Sequence, residues 1–381
     1  MTITLQERQA LIEVVREFSD AEFAPFANQR DADKEFPVDT LRRAGEVGLG
    51  GVYVREDVGG SALSRRDAVA IFEELGKGDT CLAAYLSIHN MVVRMIDEYG
   101  DDAQRERWLP SLVAMDDLAS YCLTEPGVGS DAAALVTSAR RDGDAYVLNG
   151  TKQFISGAGV SAVYVVMART GGPGPSGISA FIVPGDAAGL SFGPNERKMG
   201  WNAQPTRQVV FEDVRVPAEN RLAAEGAGFG IAMRALNGGR LNIGAVSLGG
   251  AQWALDQATA YVQERRAFGA PLAANQGVLF ALADAETNLQ AARALLERAA
   301  GKVDAGAEDV AAACAMAKRF ATDAAFDAAN SALQLHGGYG YLQDYGIERV
   351  VRDLRVHQIL EGANEIMRLI VGRDLLTRSG R

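Results

Sequence analysis

Tyr121-Cys122-Leu123-Thr124-Glu125-Pro126-Gly127-Val128-Gly129-Ser130-Asp131 is where the sequence changes texture. Before it, apolar residues recur at helical spacing. After it, β-branched and aromatic residues gather in short runs. Two glycines, a proline and hydroxyl side chains suit a loop whose backbone approaches something flat or phosphorylated. They also suit a plain domain-linking turn, and the stretch alone favours that simpler reading.

Upstream, Thr4-x-x-Glu7 forms a capping-box pattern, and Leu11, Val14, Val15 and Phe18 follow at helical spacing. Further helices are predicted near 38–48, 65–76, 82–98 and 102–115, with Gly and Asp breaks between them. Downstream, Tyr146 to Ile155 contains Asn149-Gly150 between two strand-like runs, which predicts a tight hairpin. Val163 to Met167 and Ile178 to Val183 read as strands on either side of the loop 171–177, and Thr206 to Val216 as another. From about 230 long Ala/Leu-rich helices return, over 228–266, 273–302 and 307–335, and predict a packed bundle. Helices, then sheet, then helices is an α+β order. It argues against a doubly wound nucleotide-binding fold, which alternates strand and helix.

The 381 residues suggest two or three packed domains. A net charge of −11 makes nucleic acid or an anionic membrane a poor partner. Cys81, Cys122 and Cys314 are far apart and fit a reducing compartment. The beginning MTITLQERQALIEVV has no basic region followed by a long apolar run, so a cytoplasmic location is expected.

Other motifs are weaker alone. Gln334-Leu335-His336-Gly337-Gly338 could be a helix C-cap or a pyrophosphate contact. Gly226-Ala227-Gly228-Phe229-Gly230 lacks the preceding strand of a dinucleotide fingerprint. His89, His336 and His357 show no metal-ligand spacing, and neither HExxH nor GxSxG occurs, so metal and serine hydrolysis are not expected. In Ile359-Leu360-Glu361-Gly362-Ala363-Asn364-Glu365 an acid sits in an apolar run. A free glutamate has a pKa of about 4.3. Shut away from water, its charged form is penalised, its pKa rises, and it can serve as a general base near neutrality. An acid reaching solvent at a loop edge is the competing reading.

Together, YCLTEPGVGSD, LNGTKQFIS (148–156), LNGGR (236–240), ERRAFG (264–269), QLHGGYGY (334–341) and ILEGANE occur in one order at one set of spacings. In this the sequence resembles the acyl-CoA dehydrogenases, from about residue 5 to the end. FISGAG (154–159), RTGGPGPSGIS (169–179), MGWNAQPTRQVVFEDVRVP (199–217) and VRDLRVHQILEG (351–362) point within the family to members that act on short branched-chain thioesters.

The resemblance implies a helical N-terminal domain over 1–118, a β-sandwich or barrel middle domain over 119–228 and a C-terminal four-helix bundle over 229–381. It implies FAD in a cleft between the latter two, an acyl-CoA substrate, a homotetramer and electron-transfer flavoprotein as acceptor. Tyr121, Cys122, Leu123, Thr124, Gly129 and Ser130 would approach the flavin through backbone and hydroxyl groups, and Phe154, Ile155 and Ser156 would line its ring. Arg265, Phe268, Gln276, Gln334, Gly337 and Gly338 would hold the adenine dinucleotide part from across a dimer, with Ala363 and Glu365 near the flavin. Ser130, Asn237, Arg240 and Gly362 would line the substrate side. Glu361 would remove the α-proton. A preference for straight short-chain or 2-methylbutyryl thioesters is the nearest alternative, and a flavin-free scaffold protein is the alternative from another class.

Overall fold

The computed structural model describes residues 4–379. Helix α1 (Leu5–Glu22) opens on the expected capping box: Thr4 Oγ1 accepts from the Glu7 N–H at 3.2 Å, and the Thr4 N–H donates to the Glu7 carboxylate at 2.7 Å. Short helices α2 (Ala27–Asp33) and α3 (Val38–Glu46) follow. Next come α4 (Arg65–Gly78), α5 (Thr80–Tyr99) and α6 (Asp102–Val113). Asp79 separates α4 from α5 and caps α5, its carboxylate accepting from Cys81 and Leu82 N–H groups.

The middle of the chain is one eight-stranded sheet. Its strands are β1 (Ala119–Cys122), β2 (Ser138–Asp142), β3 (Ala145–Ser156), β4 (Val163–Arg169), β5 (Ile178–Pro184), β6 (Leu190–Phe192), β7 (Thr206–Pro217) and β8 (Arg221–Leu222). The order is β6-β7-β3-β2-β4-β5-β8, and β1 pairs parallel to β4. Strand β4 shows why its sequence is apolar from Val163 to Ala168. Val163, Val165 and Met167 join Met91, Val92, Leu109 and Ile231 in a core against the helices. Tyr164, Val166 and Ala168 join Tyr146, Phe181, Phe211 and Val216 in a second core, inside the sheet layers. Burial on both faces replaces the usual alternation of apolar and polar residues.

The hairpin expected at Asn149-Gly150 is not there. β3 runs through it without reversing, and the turn lies at Gly143-Asp144, between the paired residues Asp142 and Ala145. At Asn149 the register against β7 slips by one residue. The Asn149 side chain bonds Asp213 on β7 in both directions, at 2.9 Å each. Gly150 has φ +144°, and a Cβ there would meet Thr137. The bulge belongs to β7, where Glu212 and Asp213 face the single residue Asn149 and Asp213 takes φ +51°; Gly150 gives the backbone room beside it.

The last part of the chain holds α7 (Gly228–Glu264), a small hairpin of β9 (Arg266–Ala267) and β10 (Ala270–Pro271), α8 (Gln276–Asp304), α9 (Val310–His336), α10 (Ile347–His357) and α11 (Asn364–Ser379). Helices α7, α8, α9 and α11 form the bundle, and α4 and α5 pack onto α7. Alanine and glycine dominate the buried faces of α7 and α9 and let these long helices lie close together. The α+β arrangement expected from the sequence is therefore the one observed. Among the described residues no helix is long and apolar enough to cross a membrane.

Candidate active site

The loop after β1 is held from below by a buried ion pair. The Glu125 carboxylate accepts from Lys152 Nζ at 2.8 Å and from the backbone N–H groups of Val136 and Thr137 at 2.7 and 2.9 Å. Lys152 also donates to the Leu123 carbonyl at 3.0 Å. Both side chains are almost wholly out of solvent. Both residues lie inside quoted motifs, but their polar and glycine neighbours gave no signal that the two side chains would be buried together. Lys152→Met leaves Glu125 buried and unpaired, which costs about 3–5 kcal/mol. The expected outcome is a lower melting temperature and a lower ratio of flavin to protein by absorbance, with the loop freed.

Thr124 is tied to β3 by its carbonyl, which accepts from the Gln153 N–H at 2.8 Å. Between Lys152 and Ile155 the register slips again. Phe154 takes φ +60° there and turns its ring outward, 63% exposed. Ile155 was expected to line the flavin ring and Cys122 to approach it through its backbone. Both side chains point into the core inside the sheet layers, because they fall on its inward face, so only their backbones can serve the site. Burial pushes the Cys122 thiol up to about 12. The Ser156 carbonyl accepts from Ser120 Oγ at 2.6 Å. Gly129 and Ser130 are exposed.

Glu361 lies in the turn from α10 to α11. It has φ +54° and the next residue, Gly362, φ +95°. Two successive left-handed residues are costly when the first is not glycine. Flanking bonds hold them: Arg240 Nε donates to the Glu361 carbonyl at 3.2 Å, and Lys318 Nζ to the Gly362 carbonyl at 3.0 Å. The glutamate side chain is thereby turned back toward α7. A Cβ at Gly239 would stand 2.5 Å from Glu361 Oε2. Oε2 is buried and has no hydrogen-bond partner among the described residues. Burial raises the Glu361 pKa to about 7, against the opposing charges of Lys318 and Arg240. Arg240 also donates to Asn237 Oδ1 at 2.9 Å. Tyr121 comes close enough to feel the Glu361 charge, and its hydroxyl is likewise buried without a partner.

Arg265, Gln334, Gly337 and Gly338 meet in one surface groove of about 380 Å³, with Tyr261 and Tyr339 beside them. Phe268, fully exposed, and Gln276 lie outside that groove. Ala363 is partly buried. Glu365 is exposed and paired with Arg368 at 3.1 Å, so its carboxylate is engaged along its own helix. Lys318 escaped the sequence reading altogether. Its only signal was a cation on the alanine face of a long helix.

These residues fit FAD. Two buried polar atoms, Tyr121 Oη and Glu361 Oε2, lack partners among the described residues, as a site for a polar ring and its substrate requires, and Phe154 turns an aromatic ring outward. A guanidinium beside Gly337-Gly338 suits a pyrophosphate.

Family models of acyl-CoA dehydrogenase match throughout the chain: the N-terminal domain over residues 5–116, the middle domain over 120–214 and the C-terminal domain over 226–376. The chain belongs to the acyl-CoA dehydrogenase family, FAD-dependent oxidoreductases acting on CH–CH bonds. It is 52% identical to mitochondrial isobutyryl-CoA dehydrogenase of Bos taurus, over 97% of this chain and 89% of the relative. It is 54% identical to mitochondrial isobutyryl-CoA dehydrogenase of Dictyostelium discoideum, over 94% of this chain and 86% of the relative. The structure of butyryl-CoA dehydrogenase from Megasphaera elsdenii superposes with a TM-score of 0.95 at 37% identity, covering 99% of this chain and 100% of the other.

Proposed function

We propose that this chain oxidises isobutyryl-CoA to methacrylyl-CoA, with Glu361 as the base. The observation that carries this reading is the Glu361 carboxylate itself, buried against Gly239 with one oxygen unpaired. FAD, when bound, accepts the β-hydrogen as hydride. The chain's own task is to take the α-proton and make it acidic enough to leave. A pKa of about 7 lets Glu361 be ionised at neutral pH and still basic. The left-handed turn also presents the Glu361 N–H, which meets no acceptor among the described residues. It is available to the thioester carbonyl as charge develops there, the oxyanion-hole effect in a dry site. Asn237 and Arg240 form the polar wall on the α7 side.

The branched substrate is supported by the two relatives above 50% identity and by the segments quoted from 154–159, 169–179, 199–217 and 351–362. One methylene in a pocket is worth about 1–3 kcal/mol. On that basis kcat/KM for isobutyryl-CoA is expected to exceed that for 2-methylbutyryl-CoA, one methylene longer, by roughly tenfold or more; butyryl-CoA, an isomer, tests the branch itself. Initial rates on the three thioesters test this. A preference for butyryl-CoA would move the chain to the straight-chain enzymes, and a purified protein that cannot take up FAD would point to a scaffold.

The remaining proposals rest on the family resemblance. Electrons pass to an electron-transfer flavoprotein. The chain assembles as a homotetramer in which Arg265, Phe268, Gln276 and the Gln334–Gly338 segment serve a neighbouring site; the bare ring of Phe268 supports this. Domain limits of 1–118, 119–228 and 229–381 are retained. Three buried free cysteines support a reducing compartment, the cytoplasm.

A further inference from the structure

Lys318 is fully buried on α9, among Cys314, Ala315, Ala317 and Ala321. A buried ammonium usually faces a carboxylate that bonds it. Lys318 instead bonds neutral oxygens: Nζ donates to the Gly362 carbonyl at 3.0 Å and to Asn364 Oδ1 at 2.9 Å. Asn364 is itself fixed, its amide donating to Thr322 Oγ1 at 3.0 Å and Asp323 Oδ1 at 2.7 Å. Two turns of α9 therefore grip the residues that follow Glu361. From the opposite side Arg240 on α7 takes the Glu361 carbonyl. The two left-handed residues hang between two buried cations on different helices.

We propose that Lys318 is a positioning residue for Glu361: from behind the turn it fixes where the carboxylate points and how tightly it holds a proton. This rests on the reading of Glu361 as the base. The charged and titratable groups facing Glu361 are Lys318 on α9, Arg240 on α7 and Tyr121 on β1. Those acting on Lys318 are Glu361, Arg240, Asp323 and Glu365, and its own charge reaches His357 on α10. Burial keeps His357 neutral, pushed down to about 3, and holds the Tyr121 hydroxyl protonated. Arg240 stays charged at any working pH. Lys318, lowered by burial to about 8, is thus the adjustable cation beside the base. A methionine or glutamine could fill the same space without the cost of desolvating a charge, so packing alone does not account for a lysine here.

The test uses the FAD-loaded enzyme and isobutyryl-CoA. Lys318→Met removes a positive charge near the carboxylate, so the Glu361 pKa rises. The acid limb of the kcat/KM–pH profile is expected to move up by about one pH unit. At pH 7, kcat is expected to fall roughly tenfold, with KM changed far less, because the loss is in a positioned base. Lys318→Arg keeps the charge and should restore the position of the acid limb. A yellow Lys318→Met enzyme with the wild-type limb would overturn the proposal, because a merely structural lysine changes flavin content and melting temperature without moving that limb. If Lys318→Met cannot be obtained with flavin, Asn364→Ala decides: kcat reduced at least threefold with flavin retained supports the proposal, and a wild-type kcat and pH profile sinks it. Activity surviving in Glu361→Gln would instead remove the base assignment underneath.

Discussion

Glu361→Gln is expected to give a folded, yellow protein that dehydrogenates its thioester about a thousandfold more slowly, the usual share of a positioned base. The amide keeps the shape of the side chain and its place against Gly239, but it cannot accept the α-proton. Stability should move the other way. The folded pKa of Glu361, about 7, lies above its ordinary value of 4.5. Between those values the native state keeps a proton that the unfolded chain has lost, so stability falls as pH rises through that window. Above pH 7 the buried charge costs up to about 3 kcal/mol, at 1.36 kcal/mol per pH unit. The variant should therefore melt higher than the wild type at pH 8, and the gap should close toward pH 4.5. Thermal melts at several pH values and single-turnover flavin bleaching check both halves. Activity within tenfold of wild type would end the assignment of Glu361 as base.

Gly239→Ala should also separate activity from stability. The added methyl would stand 2.5 Å from Glu361 Oε2 and 2.8 Å from Oε1, with no other group among its three nearest contacts. The clash falls on the end of a side chain, so the carboxylate swings away and α7 stays in place. Within a helix the change to alanine also gains about 1 kcal/mol of propensity. A displacement near 1 Å of a reacting group costs roughly a hundredfold. The expected result is a hundredfold fall in kcat, full flavin content and an unchanged or higher melting temperature. A variant with normal turnover would mean that Glu361 does not need the space above Gly239, and the geometry of the proposed site would be wrong. A variant that fails to fold would mean that the Glu361 turn cannot yield to the added methyl.

Much of this was legible in the chain. The capping box at Thr4, the long helices from Gly228 onward and the doubly buried run of β4 depend on residues a few positions apart, and short-range propensity decides them. The motif ILEGANE marked Glu361 and its apolar neighbours. Asn149-Gly150 was misread as a turn because a glycine with φ above zero serves a turn and the strand opposite a bulge alike. The choice was made by β7, some sixty residues further on, whose Asp213 receives the Asn149 side chain.

The sequence by itself determined the order of helices and strands, the family and the acid proposed as the base, since each is written in local pattern. Only the tertiary structure decided that the Cys122 and Ile155 side chains point into the sheet core, that Gly239 leaves room for the Glu361 carboxylate, and that Lys318 bonds the turn after Glu361. Desolvation and charge act through space. Burial raises the proton affinity of Glu361, the cations that oppose it come from positions 318 and 240, and no run of neighbouring letters records that they meet.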